Sequence, residues 1–122
     1  MWCRGIRGAT TADSNTAEAV LEATDELLRE MIEANGIRPE DVAYTMFTTT
    51  SDLDAEFPAV AARNFGWTGV ALLCGQEIDV PGSLKGVVRI LILVNTEKGA
   101  DEIAHVYLRG ATELRPDASN PR

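Results

Sequence analysis

Two arginines carry charge in apolar strand contexts, Arg89 and Arg7. Arg89 interrupts the aliphatic run Val87-Val88-Arg89-Ile90-Leu91-Ile92-Leu93-Val94. On a strand, alternate side chains share a face, so Arg89 would sit with Val87, Leu91 and Leu93. A guanidinium in that company needs a partner, because an unpaired buried charge is costly. An internal ion pair would serve, or a stem lying along apolar surface with its head in water. An anionic ligand would serve equally. Arg7 poses the same question in the first apolar segment, and Glu77, just after Leu72-Leu73-Cys74, can pair with either arginine. Two arginines and a glutamate, with no evident base and no metal set, point to a small polyanion. Bidentate guanidinium–carboxylate contacts would hold it.

Other chemistries find less support. His105 is the only histidine, and Cys3 and Cys74 are the only cysteines. A Cys74–His105 nucleophile pair would have to be made by the fold; a buried thiol and a hydrogen-bonded imidazole is the plainer reading. No His, Cys, Asp or Glu cluster has metal-ligand spacing. Gly5-Ile6-Arg7-Gly8 falls short of both nucleotide-binding glycine fingerprints. The expectation is a site without cofactor or metal.

Charge narrows the partners. Eleven basic against nineteen acidic residues leave a net charge of −8 over 122 residues. A nucleic-acid binder shows a basic footprint, which this chain lacks, and an anionic membrane surface is disfavoured for the same reason. Only Lys85 and Lys98 are lysines; the other basic residues are arginines, the planar forks that match carboxylates. The N-terminus lacks a signal-peptide pattern, and the longest apolar run is too short to span a bilayer. These features give the expectation of a cytoplasmic protein with reduced thiols.

The length fits one domain, residues 1–122, able to bury a core unaided. Residues 2–11 read as a strand running into a turn. Residues 15–35 read as the main helix, with Ala17, Val20, Leu21, Leu27, Leu28 and Met31 on one face and Thr24 between them. Asn15 is the expected cap, with Glu18 in the capping-box position, and Asn35-Gly36 the stop. A helical turn at 39–41, a strand at 42–50, a short helix at 58–65 and a strand at 70–74 follow. A connection at 76–84 leads to the strand at 87–94, central by content. Residues 103–114 read as a strand or a helical turn, since their apolar residues fit both periods in part. The end, 116–122, is polar and proline-bounded, and mobility is the expectation there. The fold class is α/β (α+β): a mixed sheet of about five strands with one long helix on one face. The other face would line a site or meet another subunit.

At these residues the chain resembles a known family. Arg4-Gly5-Ile6-Arg7-Gly8-Ala9-Thr10-Thr11 is similar to the opening of the bacillus-type monofunctional chorismate mutases, the trimeric class. Asp52-Leu53-Asp54-Ala55-Glu56-Phe57-Pro58-Ala59, Ala61-Ala62-Arg63, Leu72-Leu73-Cys74, Gln76-Glu77-Ile78 and Val80-Pro81-Gly82-Ser83-Leu84 follow in order. Val88-Arg89-Ile90, His105-Val106-Tyr107-Leu108 and Leu114-Arg115-Pro116-Asp117 complete the series, which covers nearly the whole chain.

The resemblance implies an isomerase converting chorismate to prephenate by a Claisen rearrangement, towards phenylalanine and tyrosine. It implies no covalent intermediate and no cofactor, and a homotrimer of pseudo-barrel form. Arg89 would contact the ether oxygen and a carboxylate. Arg7 would grip a carboxylate, helped by the Tyr107 hydroxyl. Glu77 and Cys74 would lie at the ring hydroxyl. Leu73 and Phe57 would pack the ring, Ala59 would line the site, and Arg63 and Arg115 would close its mouth. The segment 57–63 would reach a neighbouring subunit's site. Val60 departs from the family, where some members carry a charge at the mouth. The alternative is a non-catalytic trimer binding a small carboxylate ligand; a Cys74–His105 hydrolase is a weaker third reading.

Overall fold

The aliphatic run does become the middle of the sheet. In the computed structural model, which describes residues 1–114, β1 (Trp2–Thr11), β2 (Val42–Thr49), β3 (Leu72–Gln76), β4 (Val87–Thr96) and β5 (Val106–Tyr107) form one mixed sheet. Its order is β3-β2-β4-β1-β5. β4 pairs antiparallel with both β1 and β2, while the two edge strands pair in parallel. Period-two alternation sorts the β4 side chains: Val88, Ile90, Ile92 and Val94 are buried, and Arg89, Leu91 and Leu93 are half-buried on the opposite face.

α1 (Ala17–Asn35) covers the buried face. Leu27, Leu28 and Met31 pack against Ile6, Phe47, Ile90, Ile92 and Val94, each such side chain contributing about 1.5–3 kcal/mol on burial. Gly8 allows the close approach, since a Cβ there would strike the Met31 side chain. Thr24, the polar gap in the apolar stripe, donates its hydroxyl to Val20 O at 2.7 Å. Gly36, at φ 62°, ends the helix in the left-handed region. The short α2 (Ala59–Asn64) places Ala59 and Ala62 in the same core. Among the described residues, no helix lies on the other sheet face.

The sequence reading needs three adjustments. Thr16, not Asn15, caps α1: its hydroxyl accepts the Ala19 N–H at 3.1 Å. Asn15 is engaged elsewhere, accepting the Asp54 and Ala55 amides at 3.0 Å each and donating to Asp54 Oδ1 at 2.7 Å. It thereby ties the loop before Phe57 to the start of the helix. Second, β3 starts at Leu72 rather than residue 70, because Val70 turns onto the core ahead of the ladder. Third, the ambiguous stretch 103–114 is both things in turn. It forms the two-residue β5 and then a 3-10 helix, Arg109–Leu114. The expected mobile tail, 116–122, lies outside the described residues.

A polar clasp closes the sheet beside Glu77. The Asp52 carboxylate accepts the Gly86 N–H at 2.9 Å, and Thr50 Oγ1 accepts the Val87 N–H at 3.0 Å. Gly86, at φ 69°, suits the turn because it has no Cβ. The Thr50 hydroxyl first, then the Gly86 amide and the Lys85 charge, hold the Asp52 carboxyl below its ordinary 3.8, against a smaller opposing effect of burial. The folded state thus favours the carboxylate. Its contribution is complete above pH 3.8 and disappears as the pH falls through the lower folded value. Asp52→Asn should be less stable than the parent at neutral pH, and the gap should narrow in acid. Denaturant titrations between pH 7 and about 2 check this; a gap that stays constant contradicts it.

Candidate active site

Three strands deliver charge to one place on the open face. Register sets the spacing: Arg89 lies opposite Ala9 on β1 and Thr48 on β2, so Arg7, two residues from Ala9, is its diagonal neighbour. Ala9 in turn pairs with Tyr107 on β5, which brings the phenol to the same face. Glu77 follows β3 and is held by its own N–H, which donates to Thr49 O at 2.8 Å. The result is a cleft of about 270 Å³ lined by Arg7, Met46, Thr48, Glu77, Arg89, Leu91 and Tyr107, with Gly8 and Ile90 at its floor.

Its polar groups are only partly satisfied among the described residues. Glu77 Oε2 accepts the Thr48 hydroxyl and lies 3.7 Å from Arg89 Nε, with both side chains still partly exposed at 32% and 42%. That distance is a loose ion pair rather than a bidentate lock, so much of the Arg89 fork remains available. Arg7 Nε is buried and has no hydrogen-bond partner among the described residues. A buried N–H of a cation is costly to leave unmet, and a ligand carboxylate would meet it. Two guanidiniums against one carboxylate leave the cleft positive in a chain of net charge −8.

The family model for chorismate mutase type I matches residues 3–118. The chain belongs to this family. It is 53% identical over 115 residues to a chorismate mutase of Thermus thermophilus, covering 93% of this chain and 94% of that one. It is 47% identical over 120 residues to one of Bacillus subtilis, covering 98% and 94%. A chorismate mutase structure from Clostridium thermocellum superposes with a TM-score of 0.89 at 53% identity, covering 93% of this chain and all of the other.

Within this chorismate mutase fold the candidate residues separate into groups. Arg7, Glu77, Arg89 and Tyr107 meet in the cleft. Phe57 and Cys74 line a different cavity of about 400 Å³, with Thr49, Glu56 and Gln76. Leu73, paired with Met46, shares the open face and is 58% exposed. Arg63 is exposed on α2, and Ala59 points into the core. Arg115 lies outside the described residues. Cys74, on β3, and His105, next to β5, stand at opposite edges of the sheet. His105 Nδ1 accepts the Arg7 backbone N–H at 3.0 Å. The chain therefore forms no Cys74–His105 pair.

Thr48 and Met46 were not singled out by sequence. The signal was the alternation Tyr44, Met46, Thr48 on a strand whose other face, Thr45, Phe47 and Thr49, is buried. Among the described residues no helix is long and apolar enough to cross a membrane, and no group of acidic, His or Cys residues could hold a metal ion.

Proposed function

We propose that the Arg7–Glu77–Arg89–Tyr107 cleft is where this chain isomerises chorismate to prephenate, a step towards phenylalanine and tyrosine. The observation that carries the reading is the convergence of two under-satisfied guanidiniums with one carboxylate on an uncovered sheet face. The substrate is a small dianion. One ether C–O bond breaks and one C–C bond forms within the same molecule, so no proton or electron need be exchanged with the protein.

What remains is positioning and charge. Arg7 and Tyr107 hold one carboxylate, fixing the flexible side chain over the ring as a compact chair. Arg89 contacts the second carboxylate and the ether oxygen. Negative charge collects on that oxygen as the bond lengthens, so a fixed donor there favours the transition state over the ground state. Glu77, oriented by Thr48, faces the ring side, where positive charge develops.

We place the rest of the pocket on a second copy in a homotrimer. Phe57, 66% exposed, and Arg63 of one chain would close over the cleft of its neighbour, with Leu73 and Cys74 bordering the ring and Arg115 at the mouth. Ala59 supports this segment from the core rather than by lining the site. The reaction belongs in the cytoplasm, where the unpaired Cys3 and Cys74 stay reduced.

Purified protein mixed with chorismate should consume it and yield prephenate, followed by absorbance and by conversion to phenylpyruvate in acid. Binding without turnover would move the chain to the ligand-binding alternative. Sedimentation should give three times the chain mass.

A further inference from the structure

Tyr107 stands on a strand too short to hold it. β5 has two residues and pairs with β1 only at Gly8 and Ala9. A two-residue edge ladder opens readily unless something else fastens it. Before the strand, Asn35 grips the Ala104 backbone twice, at 2.8 and 2.9 Å. After it, Leu108 N–H donates to Ala9 O at 2.9 Å, and the chain turns at Arg109.

Arg109 is unusual in two ways. Its φ of 51° makes it the one non-glycine residue in the left-handed region among the described residues. Strain of this kind persists where surrounding contacts over-determine the backbone. Those contacts come from a set of carboxylates. Nε donates to Glu26 Oε1 at 3.0 Å, while Asp13 Oδ1 and Glu22 Oε1 each lie 3.7 Å from a terminal nitrogen. A terminal nitrogen also donates to Thr11 O at 3.3 Å, and Gly110 N–H donates to Thr11 Oγ1 at 3.2 Å. The fork thus joins the end of β1, the loop after it and the exposed side of α1. Arg109 itself is only 26% exposed, so this is a network rather than an isolated surface pair.

We propose that Arg109 is a positioning residue that presents Tyr107 to the substrate by clamping the chain just after β5 onto α1. The inference rests on the cleft being the chorismate site. Without the clamp, β5 leaves the β1 edge more often, the phenol is misplaced, and a substrate carboxylate loses one donor. Arg89 and Glu77, on other elements, keep their places.

Arg109→Gln should raise KM about three- to tenfold while kcat changes by less than about twofold, the range a partly exposed ionic network can supply. A pure charge effect would also raise KM, since three carboxylates would be unmasked near a dianion. Glu26→Ala separates the two by sign. The clamp weakens and KM rises; on the charge account a negative group is removed and KM falls. In a Tyr107→Phe background, both substitutions should leave KM unchanged. A fall in KM for Glu26→Ala, or a full effect of Arg109→Gln without the phenol, overturns the proposal. Amide exchange reports independently of activity: Arg109→Gln should speed exchange at Leu108 but not at Val88. Equal exchange in parent and variant overturns the proposal even if chorismate is not turned over, whereas absent turnover in the parent sinks the functional reading alone.

Discussion

Arg89→Ala should lower kcat by at least about 10²–10³-fold, the cost of removing one donor aimed at developing oxyanion charge. The loss is not one of folding. Arg89 projects from the open face, while its β4 neighbours Val88 and Ile90 hold the core on the other side. The thermal midpoint should therefore change little, which circular dichroism can check. KM should rise as well: Glu77 keeps its place through Thr48, and without Arg89 its charge faces the dianion uncompensated. Arg89→Lys should also fail badly. An ammonium is a point charge and cannot bond an ether oxygen and a carboxylate at once in a fixed plane. Activity close to the parent's in either variant would remove Arg89 from the chemistry and leave orientation as the whole of catalysis.

That Arg89 stands out without a structure has a physical reason. A guanidinium inside an aliphatic strand conflicts with burial, and such conflicts concentrate at functional sites. What the strand pattern left open was the partner. Sheet register resolves it: Thr48 lies directly across from Arg89, and Glu77 accepts from Thr48. The main helix was legible for a similar reason, since its apolar stripe has a strict period and its end is a glycine. Its start was not. Asn15 and Thr16 are both good caps, and the choice is made by the amides of Asp54 and Ala55, which recruit Asn15 from a distant loop.

Long-range contacts also explain what was missed at the other edge of the sheet. Residues 103–114 satisfy two periods because they are two short elements, each too brief to establish a pattern. The acidic face of α1 reads as a solvated surface, and most of it is one. Glu22 and Glu26 differ only because Arg109, 83 residues beyond Glu26, returns to them. The same holds for Cys74 and His105. Their residue types suggest a pair, and the strand order β3-β2-β4-β1-β5 separates them by the width of the sheet.

A mixture of two inactive chains should recover activity, because each proposed site draws on two subunits. One chain carries Arg89→Ala. The other carries Phe57→Ala with Arg63→Ala, whose loss of ring packing and closure costs about 10²-fold through misplaced substrate. In a trimer refolded from equal amounts, a site is intact where the Phe57/Arg63 variant supplies Arg89 and the Arg89 variant next to it supplies Phe57. Random assembly makes about a quarter of the sites so. The mixture should therefore show about a quarter of parental kcat, far above either variant alone. The geometry supports this. Phe57 is 66% exposed and lines a cavity separate from the cleft, and Leu73, Ile78 and Val80 expose further apolar surface at or near β3. Asn15 fixes the loop before Phe57 to α1, so the segment is presented outward as a built surface rather than folded back onto its own cleft. If the mixture shows only the summed activity of the separate variants, each chain completes its own pocket, and the exposed Phe57 has no part in catalysis.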